Sequence, residues 1–236
     1  MADFKTHISV GLGVCGIAAT VLHAAGLITT QEVVWLTTLG TIGSLLPDID
    51  SDHSIPVKMS FTVIALMVSL SITNLCLSHF PFLLVCLFGV AAYIGVRYGC
   101  FYAFTQLTRH RGMIHSLPCG LWFGLLCSSL FYQLQYPLIF AWLCGFFLTF
   151  GFLLHLLLDE CYSVNLLGVS IKRSFGSAFK LFSVKYRLSS VFVYALLITT
   201  YYTLAPPVAP LWVFLQHPQT QQQIVNVFHV KTPPPP

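Results

Sequence analysis

The stretch from Leu138 to Glu160 reads LIFAWLCGFFLTFGFLLHLLLDE and decides the class of fold. Residues Leu138–Leu158 contain no Asp, Glu, Lys or Arg, and about 20 apolar residues in a helix are enough to cross a bilayer. The stretch therefore predicts a transmembrane helix. The helix carries one histidine, His155, and ends at an acidic pair, Asp159 and Glu160.

The composition of the whole chain agrees with this prediction. Of 236 residues, 56% are hydrophobic and 8% are charged, and the mean hydropathy is +0.82. An ordinary soluble domain carries about 25% charged residues, so 11 basic and 7 acidic side chains could not coat a water-facing globule of this size. Soluble enzymes and disordered proteins are excluded, and we expect no nucleic-acid binding. A polytopic membrane protein surrounded by membrane lipids is the class that remains.

Seven apolar stretches are candidates for crossing the membrane. Two of them, Val33–Leu46 and Leu117–Tyr132, are short, and each has a half-crossing or re-entrant helix as an alternative. We predict an all-α fold, a polytopic transmembrane helical bundle with about five to seven spans. The other five stretches are Ile8–Ile28, Ser60–Ser78, Phe82–Phe104, Leu138–Leu158 and Ser190–Ala205.

The chain divides into two regions. Residues 1–205 form the predicted membrane-embedded domain. Residues 206–236 are rich in Gln and Pro and end in four prolines. Such a composition predicts a poorly ordered C-terminal tail rather than a further domain.

The basic residues are distributed unevenly between the two predicted faces. With seven spans, one face receives nine Lys and Arg residues and the other receives only Lys231, while Arg97 lies within a span. Because the cytoplasmic loops of membrane proteins carry an excess of Lys and Arg, the basic face is predicted to be cytoplasmic. The nine residues are Lys5, Lys58, Arg109, Arg111, Lys172, Arg173, Lys180, Lys185 and Arg187.

The acidic residues cluster instead of scattering. Five of the seven are Asp48, Asp50 and Asp52 in one loop and the pair Asp159–Glu160. An ionisable group at a membrane span is costly, which makes it a candidate functional residue. The alternating aspartates can approach one cation, and the alternative is a solvated loop with helix-capping aspartates.

Two further patterns contain histidine. The first is Arg109-His110-Arg111-Gly-Met-Ile-His115-Ser, in which imidazole suits zinc and guanidinium suits a phosphate or carboxylate. Its alternative is a positive-inside anchor. The second is His155-Leu-Leu-Leu-Asp159, whose spacing of four places both side chains on one helix face. Its alternative is a buried hydrogen-bonded His–Asp pair.

These patterns, together with His7 at the start of the first span, all fall on the predicted cytoplasmic face. That convergence predicts one shared site for one or two divalent metal ions. Zinc is the first expectation, with manganese or magnesium as alternatives. The candidate ligands are His7, Asp48, Asp50, His110, His115, His155 and Asp159.

The order of these motifs resembles the LexA-regulated, inner-membrane-associated metal-dependent hydrolase family of YdjM type. The resemblance runs from His7 to about Leu181, and His110-Arg-Gly-x-x-His115-Ser is its most specific part. Family members often carry His directly after the second Asp, where this chain has Ser51. The resemblance implies a multi-pass protein of the bacterial inner membrane with metal-dependent hydrolase activity.

The predicted reaction is metal-assisted hydrolysis of an anionic substrate, a phosphoester or a lipid-linked compound, at the cytoplasmic interface. Arg111 is the predicted anion clamp. Two rival functions stay open: an ion or proton-coupled transporter, and a non-catalytic membrane scaffold with a structural metal. The candidate catalytic residues are Asp48, Asp50, His110, Arg111, His115 and Asp159.

Overall fold

The computed structural model describes residues 3–49, 55–102, 115–165, 170–171, 181–182 and 187–228. Within these residues the chain is helical apart from one short antiparallel pair, Val164–Asn165 (β1) with Ser170–Ile171 (β2). The predicted all-α class is confirmed.

The helices follow one another through the described ranges with short connections. A 3-10 turn at Pro47–Ile49 follows α2, and a π-helical segment, Gly95–Cys100, continues α4. The helices are α1 (Phe4–Ala24), α2 (Thr30–Gly43), α3 (Ile55–Cys76), α4 (Phe82–Ile94), α5 (Leu117–Gln133), α6 (Leu138–Ser163), α7 (Arg187–Thr203), α8 (Ala209–Gln216) and α9 (Pro218–Phe228).

Three segments of the described chain are long and apolar enough to cross a membrane, namely Phe4–Ala24, Phe82–Cys100 and Leu138–Tyr162. Their surroundings fit a bilayer, since large apolar side chains on these segments, such as Ile17 and Phe82, are mostly exposed, at 68% and 80%. Helices α2, α5 and α7 have 14, 17 and 17 residues, fewer than the roughly 20 of a full crossing. The count of five to seven spans stays a prediction.

Helix α6 is the centre of the bundle and packs against α1, α2 and α5. Its side chains Phe147, Phe152 and Leu156 are fully buried, and they meet Leu36 of α2 and Cys15 of α1 in one apolar cluster. The helix predicted from the apolar run Leu138–Leu158 is therefore also the one on which the core is built.

Glycines let α2 lie directly against α6. A Cβ atom added at Gly43 would sit 2.1 Å from the carbonyl oxygen of Leu148, and one added at Gly151 would sit 1.8 Å from that of Gly40. Real side chains do not fit such gaps, so the two backbones are in contact. This contact places the end of α2, and the turn that follows it, beside the C-terminal half of α6.

The segment after residue 205 differs from its expectation. The sequence predicts a poorly ordered tail, whereas the structure forms α8 and α9 there. Pro210 and Pro218 lie in the first turns of these helices, where a fixed φ and a missing N–H are tolerated. The tail is also attached to the bundle, since the Trp142 indole donates to the Pro207 carbonyl at 3.3 Å. Residues 229–236 lie outside the described residues.

Candidate metal centre

The structure brings five of the predicted site residues to one end of the bundle. They come from the beginnings of α1 and α5, the turn after α2 and the last turns of α6. The other three, Asp50, His110 and Arg111, lie outside the described residues. The five residues that meet are His7, Asp48, His115, His155 and Asp159.

His7 is held in the first turn of α1 by a helix cap. The Asp3 carboxylate accepts a hydrogen bond from the Thr6 backbone N–H at 2.8 Å and another from the Thr6 hydroxyl. These bonds lower the pKa of Asp3, so the cap is ionised at neutral pH. The His7 N–H in turn donates to the Asp3 carbonyl at 3.2 Å, and the His7 side chain is fully buried.

Ser44, the residue after α2, connects the two buried histidines. Its carbonyl oxygen lies 2.8 Å from Nδ1 of His155. Its hydroxyl lies 3.1 Å from the His7 carbonyl and 2.7 Å from the Thr41 carbonyl. A Cβ at Gly11 would lie 2.2 Å from this hydroxyl, so the glycine admits Ser44 against α1.

The contact with Ser44 fixes the chemistry of His155. A carbonyl oxygen only accepts, so Nδ1 of His155 carries the proton and donates it. Nε2 is then left with a free lone pair, which is the arrangement that metal-ligating histidines usually have. No sequence signal identifies Ser44, because the functional group is a backbone carbonyl that any residue would supply.

The two imidazole rings stack, and both present Nε2 to the same two carboxylates. Asp159 places one oxygen 3.4 Å from Nε2 of His7 and the other 3.7 Å from Nε2 of His155. Asp48 does the same at 3.9 Å and 3.6 Å. Each carboxylate thus divides its two oxygens between the two rings.

These separations are too long for good N–H···O hydrogen bonds, which are about 2.7–3.2 Å. Two ligand atoms that share one tetrahedral ion, each about 2.1 Å from it, lie about 3.4 Å apart. The observed range of 3.4–3.9 Å is close to that spacing. The geometry therefore fits ligands around a common cation better than a pair of direct hydrogen bonds.

Burial supports the same interpretation. Three buried ring nitrogens have no hydrogen-bond partner among the described residues: Nδ1 and Nε2 of His7, and Nε2 of His155. A buried polar atom without a partner costs about 1–3 kcal/mol. A divalent ion bound to two imidazoles and two carboxylates would satisfy the Nε2 atom of each ring, and such a donor set suits zinc or manganese.

His115 also lies close to His155. The two ring centroids are 5.6 Å apart, and His115, His155 and Asp159 each offer a ligand atom within 4.8 Å of the others. A second such group consists of His7, Asp48 and His155. Because His155 has only Nε2 available, it can serve one of the two groups at a time. The described ligand atoms therefore suffice for one ion with His115 as a further donor.

Access to the centre is one-sided. The side chains of His7 and His155 are 0% exposed and that of Asp159 is 7% exposed, whereas that of Asp48 is 33% exposed. Among the described residues, the Asp48 edge is therefore the open side of the centre, while the bundle closes the opposite side.

Comparison with known proteins gives one family. The sequence model of the YdjM inner membrane protein family matches residues 1–228. No curated protein and no solved structure matches the chain significantly.

Proposed function

The chain belongs to the YdjM inner membrane protein family, and from that membership and the buried His–Asp centre we propose that it is a membrane-bound metal-dependent hydrolase. Its substrate is a phosphoester or a lipid-linked anion at the cytoplasmic surface of the membrane. The observation that carries the proposal is the pair of stacked, buried imidazoles that direct Nε2 at two shared carboxylates.

In this proposal the described residues supply both nitrogen and oxygen ligands to the ion. His155, oriented by the Ser44 carbonyl, and His7 supply nitrogen, and Asp48 and Asp159 supply oxygen. His115 is near enough to join them. An ion held there supplies Lewis acidity that polarises the scissile group and activates a water molecule.

The protein's own groups complete the chemistry. Asp48 is the ligand on the exposed side, so its carboxylate is the group best placed to accept a proton from an entering water. Arg111 is assigned on sequence grounds to hold two oxygens of the substrate, since a guanidinium fork matches a phosphoryl group. Lys172, Arg173 and Lys180 add positive charge that attracts an anionic head group.

The position of the centre favours an enzyme over a transporter. His7 lies in the first turn of α1, and Asp159 lies in the last turns of α6. Ion-coupled transporters generally place ionisable groups near mid-membrane, where they line the path of the ion. A site at the ends of helices is instead suited to a substrate that arrives from the membrane surface.

The proposal is tested by turnover with matched variants. Detergent-purified full-length protein is loaded with zinc or manganese and assayed on water-soluble and lipid phosphoesters. Asp159→Asn keeps the size of the side chain and removes its charge, so metal-dependent hydrolysis should fall by at least about 100-fold. Asp3→Asn is the control, since Asn also caps helices and Asp3 lies outside the centre. Equal activity in the Asp159→Asn variant and the wild type would contradict the proposal, and turnover on no substrate would favour the scaffold.

A further inference from the structure

A second feature, separate from the metal centre, is a cavity of about 400 Å³ among helices α3, α5 and α7. Its walls include Phe61 and Val68 from α3, Trp122 from α5 and Leu196 from α7. The π-helical segment contributes Val96 to the same wall. Three helices and a π-helical segment thus line a partly open space that their own side chains do not fill.

Three of the polar side chains in this wall, Trp122, Thr200 and Thr203, already have hydrogen-bond partners. The Trp122 indole N–H donates to the Thr200 hydroxyl at 3.1 Å, and the Thr203 hydroxyl donates to the Thr199 carbonyl at 2.7 Å. The rest of the lining is predominantly apolar. A phosphate or a sugar would lose its hydration there without compensation, whereas a hydrocarbon would not. The chemistry of the wall therefore selects an apolar occupant.

The shape of the cavity selects a chain. Its lining on α7 extends from Phe192 to Thr203, which is about 16 Å along a helix with a rise of 1.5 Å per residue. An elongated apolar space of that length fits an extended hydrocarbon chain lying along α7.

One end of the cavity lies toward the same end of the bundle as the metal centre. Phe61, Trp122 and Phe192 are all within two turns of the beginnings of their helices, and His115 immediately precedes α5. Trp122 is about 8 Å along α5 from its first residue. A chain that fills the cavity would therefore leave its polar end at the level of His115.

We propose that this cavity binds a hydrocarbon tail of the substrate, a lipid phosphoester whose head group lies at the metal centre. The inference rests on the proposed function, because it names the tail of that substrate. It assigns to α3 and α7, which carry none of the described ligands, the task of selecting substrates by chain length.

The test reports on the cavity without requiring turnover. Replacing Trp35, Trp142 and Trp212 by Phe leaves Trp122 as the single tryptophan of the full-length protein. The probe is a terminally brominated dodecyl phosphonate, which cannot be hydrolysed and quenches a tryptophan that it touches. We expect saturable quenching of Trp122, reversed by excess unbrominated dodecyl phosphonate and unchanged by inorganic phosphate.

Two matched valine variants locate the tail. Val68→Phe fills the cavity, whereas Val90→Phe adds the same bulk at a position that is 58% exposed on the outside of α4. Val68→Phe should raise the probe concentration needed for half-maximal quenching of Trp122 by at least about tenfold, because buried methylenes are displaced. Val90→Phe should leave it unchanged. Trp122 quenching that rises linearly with probe concentration, or that is the same in Val68→Phe and the wild type, would overturn the inference.

Hydrolysis assays on the same proteins separate this inference from the proposed function. If a short-chain phosphoester is hydrolysed equally by all variants while only long-chain turnover falls in Val68→Phe, both stand. If Val68→Phe changes the hydrolysis rate of neither long-chain nor short-chain substrates, the assignment of the cavity to the tail is wrong and the proposed hydrolase function is supported. If Trp122 quenching saturates but no substrate is hydrolysed, the cavity binds a hydrocarbon chain and the hydrolase is wrong.

Discussion

The imidazole rings of His7 and His155 stack with centroids 3.8 Å apart and planes inclined by 16°. One ring comes from the first turn of α1 and the other from the last turns of α6. The stack therefore brings together two residues that are far apart in the sequence. Two neutral rings can stack in this way, whereas two protonated rings would repel each other. The stack is therefore compatible with two neutral imidazoles that serve as ligands.

The α2–α6 contact is predicted to be necessary for the centre. Gly151→Ala places a Cβ on the carbonyl of Gly40, which should destabilise the protein by about 1–3 kcal/mol and lower its metal content. Gly13→Ala is the control, because a Cβ there meets nothing within 4 Å. Thermal unfolding in detergent and metal analysis measure both effects. A Gly151→Ala protein as stable and as metal-rich as the wild type would show that the backbones need not touch.

Ser44 is predicted to act through its carbonyl and only weakly through its hydroxyl. Ser44→Ala removes the hydroxyl contact with the His7 carbonyl, at a cost of about 1 kcal/mol, and keeps the bond from His155. Ser44→Pro is expected to be far more damaging, since it alters the backbone that positions the carbonyl. Metal content should therefore be retained in Ser44→Ala. Loss of metal in that variant would mean that the hydroxyl, not the carbonyl, organises the site.

Much of this centre can be predicted from the sequence, for physical reasons that differ from residue to residue. His155 and Asp159 are one helical turn apart, so their proximity follows from helix geometry alone. Asp48 and His7 require tertiary packing, and were predicted because charge is rare in this chain and falls on one face. Ser44 could not be predicted, because a carbonyl leaves no signature in the side chains.

The fold shows a similar division. The long apolar run of α6 predicts a helix directly, and the two short stretches, at α2 and α5, are the weakest of the predicted spans. Helices α8 and α9 were missed because Gln and Pro dominate the composition after residue 205, although proline favours the first turn of a helix.

Topology gives a prediction that does not depend on metal. Reporter fusions at Ser54, Ser116 and Ser170 should all be cytoplasmic, because nine of ten basic residues outside the spans fall on that face. A fusion after Gln223 should be periplasmic. A periplasmic signal at any of the first three positions would separate the motifs and contradict a shared cytoplasmic site.

Arg111 is predicted to contribute more than charge. Arg111→Lys keeps the positive charge and should keep insertion and metal content, but loses the planar fork that holds two phosphoryl oxygens. We expect kcat on the cognate substrate to fall by about 100-fold, by analogy with the loss of one transition-state donor. Arg109→Lys is the matched control and should leave kcat nearly unchanged. Full activity of the Arg111→Lys protein would mean that Arg111 contributes only a positive charge that helps to orient the protein in the membrane.

The most direct test of the central claim is the metal content of the purified full-length protein, measured by elemental mass spectrometry. The wild type should retain a divalent metal, and the double variant His155→Ala, Asp159→Ala should lose most of it while still inserting into the membrane. Cys127→Ala, a change to a buried free thiol in α5 away from the centre, should retain it. Equal metal content in the wild type and the double variant would contradict the account.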